Sequence, residues 1–141
     1  YITFEEDAHP KSYVGMDVID DALHPVVAET LKQLREYLDG TRTAFDVPLD
    51  LVGTEFQVEA WNALARIPYA GTVSYAQQAT SIGRPKATRA IGSANGRNPV
   101  VIVLPCHRVV GADGSLTGFG GGLHVKSWLL ELEKRVSAQS K

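Results

Sequence analysis

The residues with the clearest chemical potential are the only cysteine of the 141-residue chain, Cys106, and the histidine that follows it, His107. One cysteine cannot form an internal disulfide or a cysteine cluster for zinc, so any chemistry at Cys106 is that of a free thiol. A nearby base or positive charge lowers a thiol pKa from about 8.5 towards neutrality and yields the nucleophilic thiolate. Taken alone, however, such a pair is more often a buried structural cysteine beside a solvent-exposed histidine.

Acidic and basic residues are unevenly distributed around this pair. Residues 1–59 contain thirteen acidic and four basic residues, whereas residues 60–112 contain no acidic residue and six basic ones. The six are Arg66, Arg84, Lys86, Arg89, Arg97 and Arg108. A stretch with one sign of charge projects positive potential and favours a polyanionic partner, although a solvated basic face is the alternative.

The composition bounds the class of protein. With 44% hydrophobic and 21% charged residues, the chain fits one or two small packed domains. No stretch reaches the roughly 20 apolar residues that span a bilayer, and no basic-then-apolar leader is visible, so we expect a cytoplasmic protein without a membrane partner. The sequence opens at Tyr1 within a predicted strand containing Ile2 and Phe4, and we expect that residues upstream are absent.

Three predicted helices lie between Gly53 and the cysteine. Thr54 with Gln57, and Ser74 with Gln77, are capping-box patterns that each open a helix. Gly83 makes a turn, and a third helix is predicted to begin at Pro85. Its inward residues would be Ala87, Ala90, Ile91 and Ala94, with Lys86, Arg89 and Asn95 on the other side. Two short helices joined by a glycine turn are the layout of a helix-turn-helix.

The segments on either side of the cysteine would fix its position. The apolar run 100–104 predicts a buried strand or extended segment leading to Pro105. Residues 118–122 predict a glycine-rich loop. A final helix follows, with Val125, Trp128, Leu129, Leu132 and Val136 at helical spacing.

The first 52 residues predict a separate small α/β unit. After the opening strand, residues 5–23 read as loop. A helix from Pro25 to a cap at Gly40 then carries Val27, Leu31, Leu34 and Leu38 at three- and four-residue steps. Alternation over residues 45–51 predicts a strand. We therefore place a domain boundary at Gly53, with domains 1–52 and 53–141.

The sequence Pro105-Cys106-His107-Arg108-Val109 resembles the active-site signature of the O6-alkylguanine-DNA alkyltransferases, or methylated-DNA–protein-cysteine methyltransferases. Flanking patterns agree in order and spacing over nearly all of residues 54–135. They are Phe56-Gln57 with Trp61, Ile67-Pro68-Tyr69, Ser74-Tyr75, residues 87–92, Asn95-Gly96-Arg97-Asn98-Pro99, residues 117–122 and residues 126–133. The resemblance implies an α/β N-terminal domain, ribonuclease H-like in the family and here incomplete, and a mainly helical winged helix-turn-helix C-terminal domain.

The resemblance also implies a reaction that uses each molecule once. Cys106 would accept the alkyl group from O6 of guanine, His107 would take its proton through a bridging water, and Glu133 would orient the imidazole. The attack would be an SN2 displacement at carbon, and the thioether product is stable. No cofactor is implied.

Recognition residues are implied in the same way. The helix-turn-helix would bind double-stranded DNA containing O6-alkylguanine, and Arg89 would take the place of the flipped nucleotide. Further DNA contacts are expected from Lys86, Asn95 and Arg97. Substrate contacts are expected from Tyr75, the backbone carbonyls of Cys106 and Val109, Phe119 and Gly120, with Asn98 bracing the turn before the cysteine. We expect a monomer and leave clustering on DNA open.

Three departures limit the transfer of family properties. Position 119 is Phe where some members have Tyr, which leaves the preferred alkyl group open. The N-terminal region has no cysteine to match the zinc ligands of some relatives, so we predict no metal. That region also looks short by at least one strand.

Three other functions compete with alkyl transfer. A non-enzymatic binder of damaged DNA, like the alkyltransferase-like proteins, would lack the nucleophile that Cys106 supplies. A thiol hydrolase on another fold would turn over an acyl ester repeatedly. A helix-turn-helix regulator would leave the Cys-His pair and the glycine-rich loop unexplained.

Overall fold

The computed structural model describes residues 2, 25–116, 119 and 122–139. Within these ranges the chain is mainly helical with one small sheet. The helices are α1 (Pro25–Leu38), α2 (Glu55–Ala65), α3 (Tyr75–Ser81), α4 (Thr88–Gly96) and α5 (Leu123–Gln139). The strands are β1 (Val73–Ser74) and β2 (Val109–Val110), and a 3-10 turn covers Cys106–Arg108. None of these helices is both long and apolar enough to cross a membrane.

Both predicted capping boxes are confirmed. At the start of α2, the Thr54 hydroxyl accepts from the Gln57 N–H at 3.1 Å, and the Gln57 side chain accepts from the Thr54 N–H at 3.0 Å. Ser74 and Gln77 make the same reciprocal pair at the start of α3, at 3.1 and 2.7 Å. Such pairs satisfy two otherwise unpaired backbone donors and fix the first residue of each helix.

The predicted start of the third helix is wrong by three residues, because α4 begins at Thr88. The Ala87 N–H donates to the Arg84 carbonyl at 2.9 Å, so residues 84–87 form a separate tight turn. Proline suits the second position of such a turn as well as it suits the first turn of a helix. The preceding glycine turn is as expected, since Gly83 has φ +74°.

The inward face of α4 also differs from the prediction. Ile91 and Ala94 are buried, but Ala90 is exposed and Asn95 is buried. The Asn95 amide exchanges two hydrogen bonds with the amide of Gln78 on α3, at 2.8 and 3.0 Å. Because each amide satisfies the other, the pair can lie in the interface between α3 and α4.

Helix α1 buries a different face from the one that its leucines suggested. Val27, Leu31 and Leu38 are each more than 40% exposed, whereas Gln33 and Tyr37 are 2% and 0% exposed. The Gln33 amide bonds both the N–H and the carbonyl of Asp46, at 2.8 and 3.0 Å.

These hydrogen bonds hold the segment that follows α1. Residues 45–51 were predicted to form a strand, and that prediction is wrong. A helix side chain, rather than a neighbouring strand, takes the backbone groups of Asp46. Of the predicted opening strand, Ile2 makes a bridge to Val100; Phe4 and the predicted loop 5–23 lie outside the described residues.

The segment before the cysteine is buried but is not a continuous strand. The Val103 N–H donates to the Val101 carbonyl at 2.9 Å, which closes a γ-turn centred on Ile102 with φ +73°. A second turn of this size, around Pro105, brings the Cys106 N–H to 2.8 Å from the Leu104 carbonyl. Positive φ is strained for a β-branched residue, so the backbone reaches the cysteine through two tight reversals.

The predicted last helix is confirmed as α5, with Leu129 and Leu132 buried and Trp128 52% exposed. Trp128 therefore does not belong to the inward face on which the prediction placed it. Thr117, Gly118, Gly120 and Gly121 of the glycine-rich loop lie outside the described residues.

Candidate active site

The candidate site is built where the two short strands meet. Strand β1 leads into α3 and pairs in parallel with β2, which follows the 3-10 turn, with Val73 opposite Val109. This pairing brings Tyr75, the first residue of α3, close to the cysteine turn. Tyr75 and Phe119 are half-buried and pack on the apolar cluster that contains Cys106. Cys106 itself is 8% exposed.

Asn98 holds the strained backbone segment that leads to this turn. Its Nδ2 donates to the Leu104 carbonyl at 2.7 Å, its Oδ1 accepts from the Val100 N–H at 2.9 Å, and the side chain is fully buried. These are contacts that suit the predicted brace.

We expect Asn98→Ala to lower the free energy of unfolding by about 3 kcal/mol, because it leaves a buried carbonyl and a partly buried N–H unpaired. Urea denaturation measures the change. Asn62→Ala on the exposed side of α2 is the matched control, and it should change stability by less than about 0.5 kcal/mol. A similar small loss for both variants would contradict the brace.

A single carboxylate, Glu133 on α5, organises the polar side of the site. Its Oε2 accepts from His107 Nε2 at 2.6 Å and from the Tyr37 hydroxyl at 2.5 Å. Arg108 donates to both oxygens, from Nε at 2.9 Å and Nη2 at 3.0 Å, and the Ala70 N–H donates to Oε1 at 3.0 Å. Glu133 and His107 are fully buried. The carboxylate therefore receives five donors from four residues in three parts of the chain.

These contacts define the protonation states. Although burial opposes ionisation, hydrogen bonds from His107 and Arg108 lower the pKa of Glu133 to about 2, so it is a carboxylate near neutral pH. Burial lowers the pKa of His107, against the opposing effect of Glu133. The imidazole is therefore neutral. Because the Glu133 carboxylate accepts at Nε2, the proton of the neutral imidazole lies on Nε2. Nδ1 is buried and has no hydrogen-bond partner among the described residues, so it is the nitrogen that can take a proton.

Lys126 is a second buried charge, on the same face of α5. Its Nζ donates to the Val109 carbonyl at 2.6 Å and lies 5.9 Å from the centre of the Tyr75 ring. Burial lowers the pKa of Lys126, and the charge of a Cys106 thiolate acts in the opposite direction. The ammonium and the thiolate thus stabilise each other. Sequence reasoning gave Lys126 no role, although its spacing from Leu129 and Glu133 puts all three on one helix face.

Arg108 and Tyr37 were also missed as parts of the site. The sequence placed Arg108 among six basic residues of a charged surface, but it is 6% exposed. Its guanidinium donates hydrogen bonds to Glu133 and, at 2.7 Å, to the Ile67 carbonyl. Its position beside the Cys-His pair was a usable signal. Tyr37 gave none, because it lies 96 residues before Glu133.

The substrate-contact residues are partly assembled. The Val109 carbonyl accepts from Lys126, and the Cys106 carbonyl accepts from the Val109 N–H. A carbonyl oxygen has two lone pairs and can accept from two donors. Gly120, the remaining predicted contact, lies outside the described residues.

The remaining basic residues of the stretch 60–112 lie at the surface. Lys86 is exposed in the turn before α4, Arg89 is exposed on the first turn of α4, and Arg97 is exposed at its C-terminal cap, where it donates to Ser93 at 2.9 Å. Arg84 is partly neutralised by Glu59 at 3.4 Å. The burial of Asn95 makes its predicted place on the outer side of this helix wrong, because its amide is committed to Gln78; its DNA contact stays a prediction.

Comparisons with known proteins agree with this arrangement. Residues 55–135 match the family described as 6-O-methylguanine DNA methyltransferase, DNA binding domain. The inducible methylated-DNA–protein-cysteine methyltransferase of Bacillus subtilis is 50% identical over 120 residues, which are 85% of this chain and 65% of that protein. The enzyme of Mycolicibacterium paratuberculosis is 55% identical over 113 residues, 80% of this chain and 68% of that protein.

Solved structures give the same result. The Mycobacterium tuberculosis protein OGT in complex with DNA is 54% identical, with a TM-score of 0.77 over 78% of this chain and 68% of that one. Atl1 of S. pombe, solved with damaged DNA containing O6-carboxymethylguanine, is 28% identical, with a TM-score of 0.52 over 60% of this chain and 80% of that one. The chain spans about two thirds of the length of the curated relatives that it matches, 65% and 68% for the first two.

Proposed function

The chain belongs to the methylated-DNA–protein-cysteine methyltransferase family, and on that basis we propose that it repairs DNA by moving an alkyl group from O6 of guanine to Cys106. The observation that carries the proposal is the buried Cys106 followed by His107, whose Nε2 is held 2.6 Å from Glu133. This arrangement leaves His107 Nδ1 as the base on the side of the imidazole away from Glu133.

In the proposed reaction, the Cys106 proton passes to His107 Nδ1 through a bridging water. The thiolate Sγ attacks the alkyl carbon, and a carbon–sulfur bond forms as the carbon–O6 bond breaks. The electron pair of the broken bond remains with the guanine, where Tyr75 helps to neutralise it. Lys126 supports the thiolate before transfer. No water can cleave the thioether, so each molecule reacts once.

Recognition is proposed to use the second domain, residues 53–141, as a winged helix-turn-helix on double-stranded DNA. The alkylated guanine is flipped out of the stack, because the buried site cannot reach O6 inside a duplex. Arg89 fills the gap, with Lys86 and Arg97 on the backbone, while Tyr75, Val109, Phe119 and Gly120 line the base pocket. Residues 1–52 would be a ribonuclease H-like domain, and the protein would act as a monomer.

The other candidate is a binder that recognises alkylated DNA without chemistry. The similarity to Atl1 motivates it. A free thiol at Cys106, with a base and a buried cation around it, favours transfer instead.

Incubation of the protein with duplex DNA containing O6-methylguanine is expected to add one methyl group to Cys106 and then to stop at one equivalent. Intact-mass and peptide mass spectrometry measure both the amount and the position, and labelled O6-benzylguanine reports the same thiol without DNA. Binding of the damaged duplex with no change in protein mass would favour the non-enzymatic binder. Many turnovers per molecule would contradict a stable thioether.

A further inference from the structure

The least expected contact in the site joins the first helix to the catalytic carboxylate. Tyr37 on α1 is fully buried, and its hydroxyl donates to Glu133 Oε2 at 2.5 Å. The same oxygen lies 2.6 Å from His107 Nε2, and the Tyr37 oxygen is 3.5 Å from that nitrogen. The two donors therefore share one carboxylate oxygen from neighbouring directions.

Burial, together with the hydrogen bond to Glu133, raises the pKa of Tyr37. The phenol therefore stays protonated near neutral pH and donates to Glu133. A donor of this kind draws electron density from the carboxylate oxygen and weakens its bond with any second donor. The other donors to this oxygen are the imidazole and Arg108 Nη2, and a change at Tyr37 leaves the Arg108 donor in place.

We propose that Tyr37 is a positioning residue for the transfer reaction, which restrains Glu133 so that the carboxylate orients His107 without holding it as the imidazolium. The inference rests on the proposed function. A base must be neutral before it can take the thiol proton, and an unrestrained buried carboxylate would favour the charged imidazole. The Tyr37 hydroxyl counters that effect at the same oxygen.

Other ionisable groups surround the imidazole and must be held constant in any test. They are Cys106 and Arg108 on either side of His107 in the 3-10 turn, Glu133 and Lys126 on α5, and Tyr69 in the loop after α2. Arg108 and Lys126 both oppose protonation of His107. Neither of them contacts the Tyr37 hydroxyl in the hydrogen bonds described for it.

Tyr69 provides a matched control. Its ring packs edge-on against Tyr37, 6.2 Å between centroids, and Arg108 lies over its face. Its hydroxyl is buried but has no hydrogen-bond partner in the described part of the chain. Tyr69→Phe therefore removes a hydroxyl from the same cluster without removing a donor to Glu133.

The test is the pH dependence, between pH 5 and 9, of single-turnover benzyl transfer from O6-benzylguanine to Cys106. Tyr37→Phe is expected to move the midpoint of the acidic limb upwards by about half to one pH unit, the change that follows from loss of one charge-assisted hydrogen bond. The rate on the alkaline plateau should stay within about threefold of the parent, and Tyr69→Phe should leave the midpoint in place. A lower rate with an unchanged midpoint would overturn the proposal and make Tyr37 a packing residue.

Titration of His107 by NMR in histidine-labelled protein makes the test independent of transfer. The pKa of His107 should rise in Tyr37→Phe and fall when fluorotyrosine, a stronger donor of nearly equal size, is placed at position 37. Shifts of the same sign in both variants, or none in either, would overturn the proposal. Because this readout needs no substrate, an inactive parent with these two opposite shifts would refute the proposed function while still showing that Tyr37 controls the pKa of His107 through Glu133.

Discussion

Replacement of Glu133 by glutamine is expected to slow alkyl transfer to Cys106 by about 10²–10⁴-fold, the range that an oriented general base contributes. Glutamine keeps the length of the side chain but offers one acceptor oxygen where Glu133 serves five donors. If its amide faces His107, the imidazole must accept at Nε2 and carry its proton on Nδ1. That tautomer cannot take the proton of the thiol.

The same change should also lower the free energy of unfolding by about 3 kcal/mol, since Arg108 stays buried without its counter-charge. Transfer rates are therefore compared at a temperature where circular dichroism shows the variant to be folded. Affinity for duplex DNA should change little, because the carboxylate is fully buried.

Glu131→Gln is the control for this variant, as it removes an exposed carboxylate from the same helix. It should leave transfer within about twofold of the parent, as expected for a surface change. A similarly small effect of Glu133→Gln would show that the carboxylate is structural and that His107 needs no orienting partner.

The sequence predicted local features of the fold well and the packing of its polar residues poorly. The capping boxes at Thr54 and Ser74 were predictable because each depends on two residues three positions apart. The glycine turn at Gly83 and helix α5 were also predictable, because each depends on residues close together in the sequence. The reversal at Ile102 was not, because a β-branched residue at positive φ has no favourable sequence signal.

Burial of polar side chains accounts for most of the errors. Hydrophobic periodicity assigns polar residues to the solvent, so Gln33, Tyr37 and Asn95 were placed outside or overlooked. Each is buried because it finds a specific partner distant in sequence or on another helix. Pairing of this kind depends on tertiary geometry, and only the residues covered by the family resemblance, Cys106 and His107 above all, could be located in advance.

The exposed surface of α4 permits a decisive test of the proposed base flipping through Arg89. This side chain is exposed on the first turn of α4, and Lys86 is exposed in the turn just before it. An arginine that merely contacts phosphate should, when replaced by alanine, weaken binding to all DNA alike and reduce the salt slope of log K by about 1. An arginine that fills the gap in the base stack should instead affect extrusion of the nucleotide, which costs a few kcal/mol.

We expect Arg89→Ala to react with free O6-benzylguanine at a near-normal rate and to lose at least about tenfold on a duplex substrate, or about 1.4 kcal/mol of transition-state stabilisation. The measurement is the ratio of single-turnover rates on the two substrates, with Lys86→Ala as the matched control from the same basic surface. Equal losses on both substrates would mean that Arg89 supports the pocket around Cys106. Equal behaviour of Arg89→Ala and Lys86→Ala on duplex DNA would reduce Arg89 to one phosphate contact among several, and base extrusion would then need another residue to fill the vacated stack.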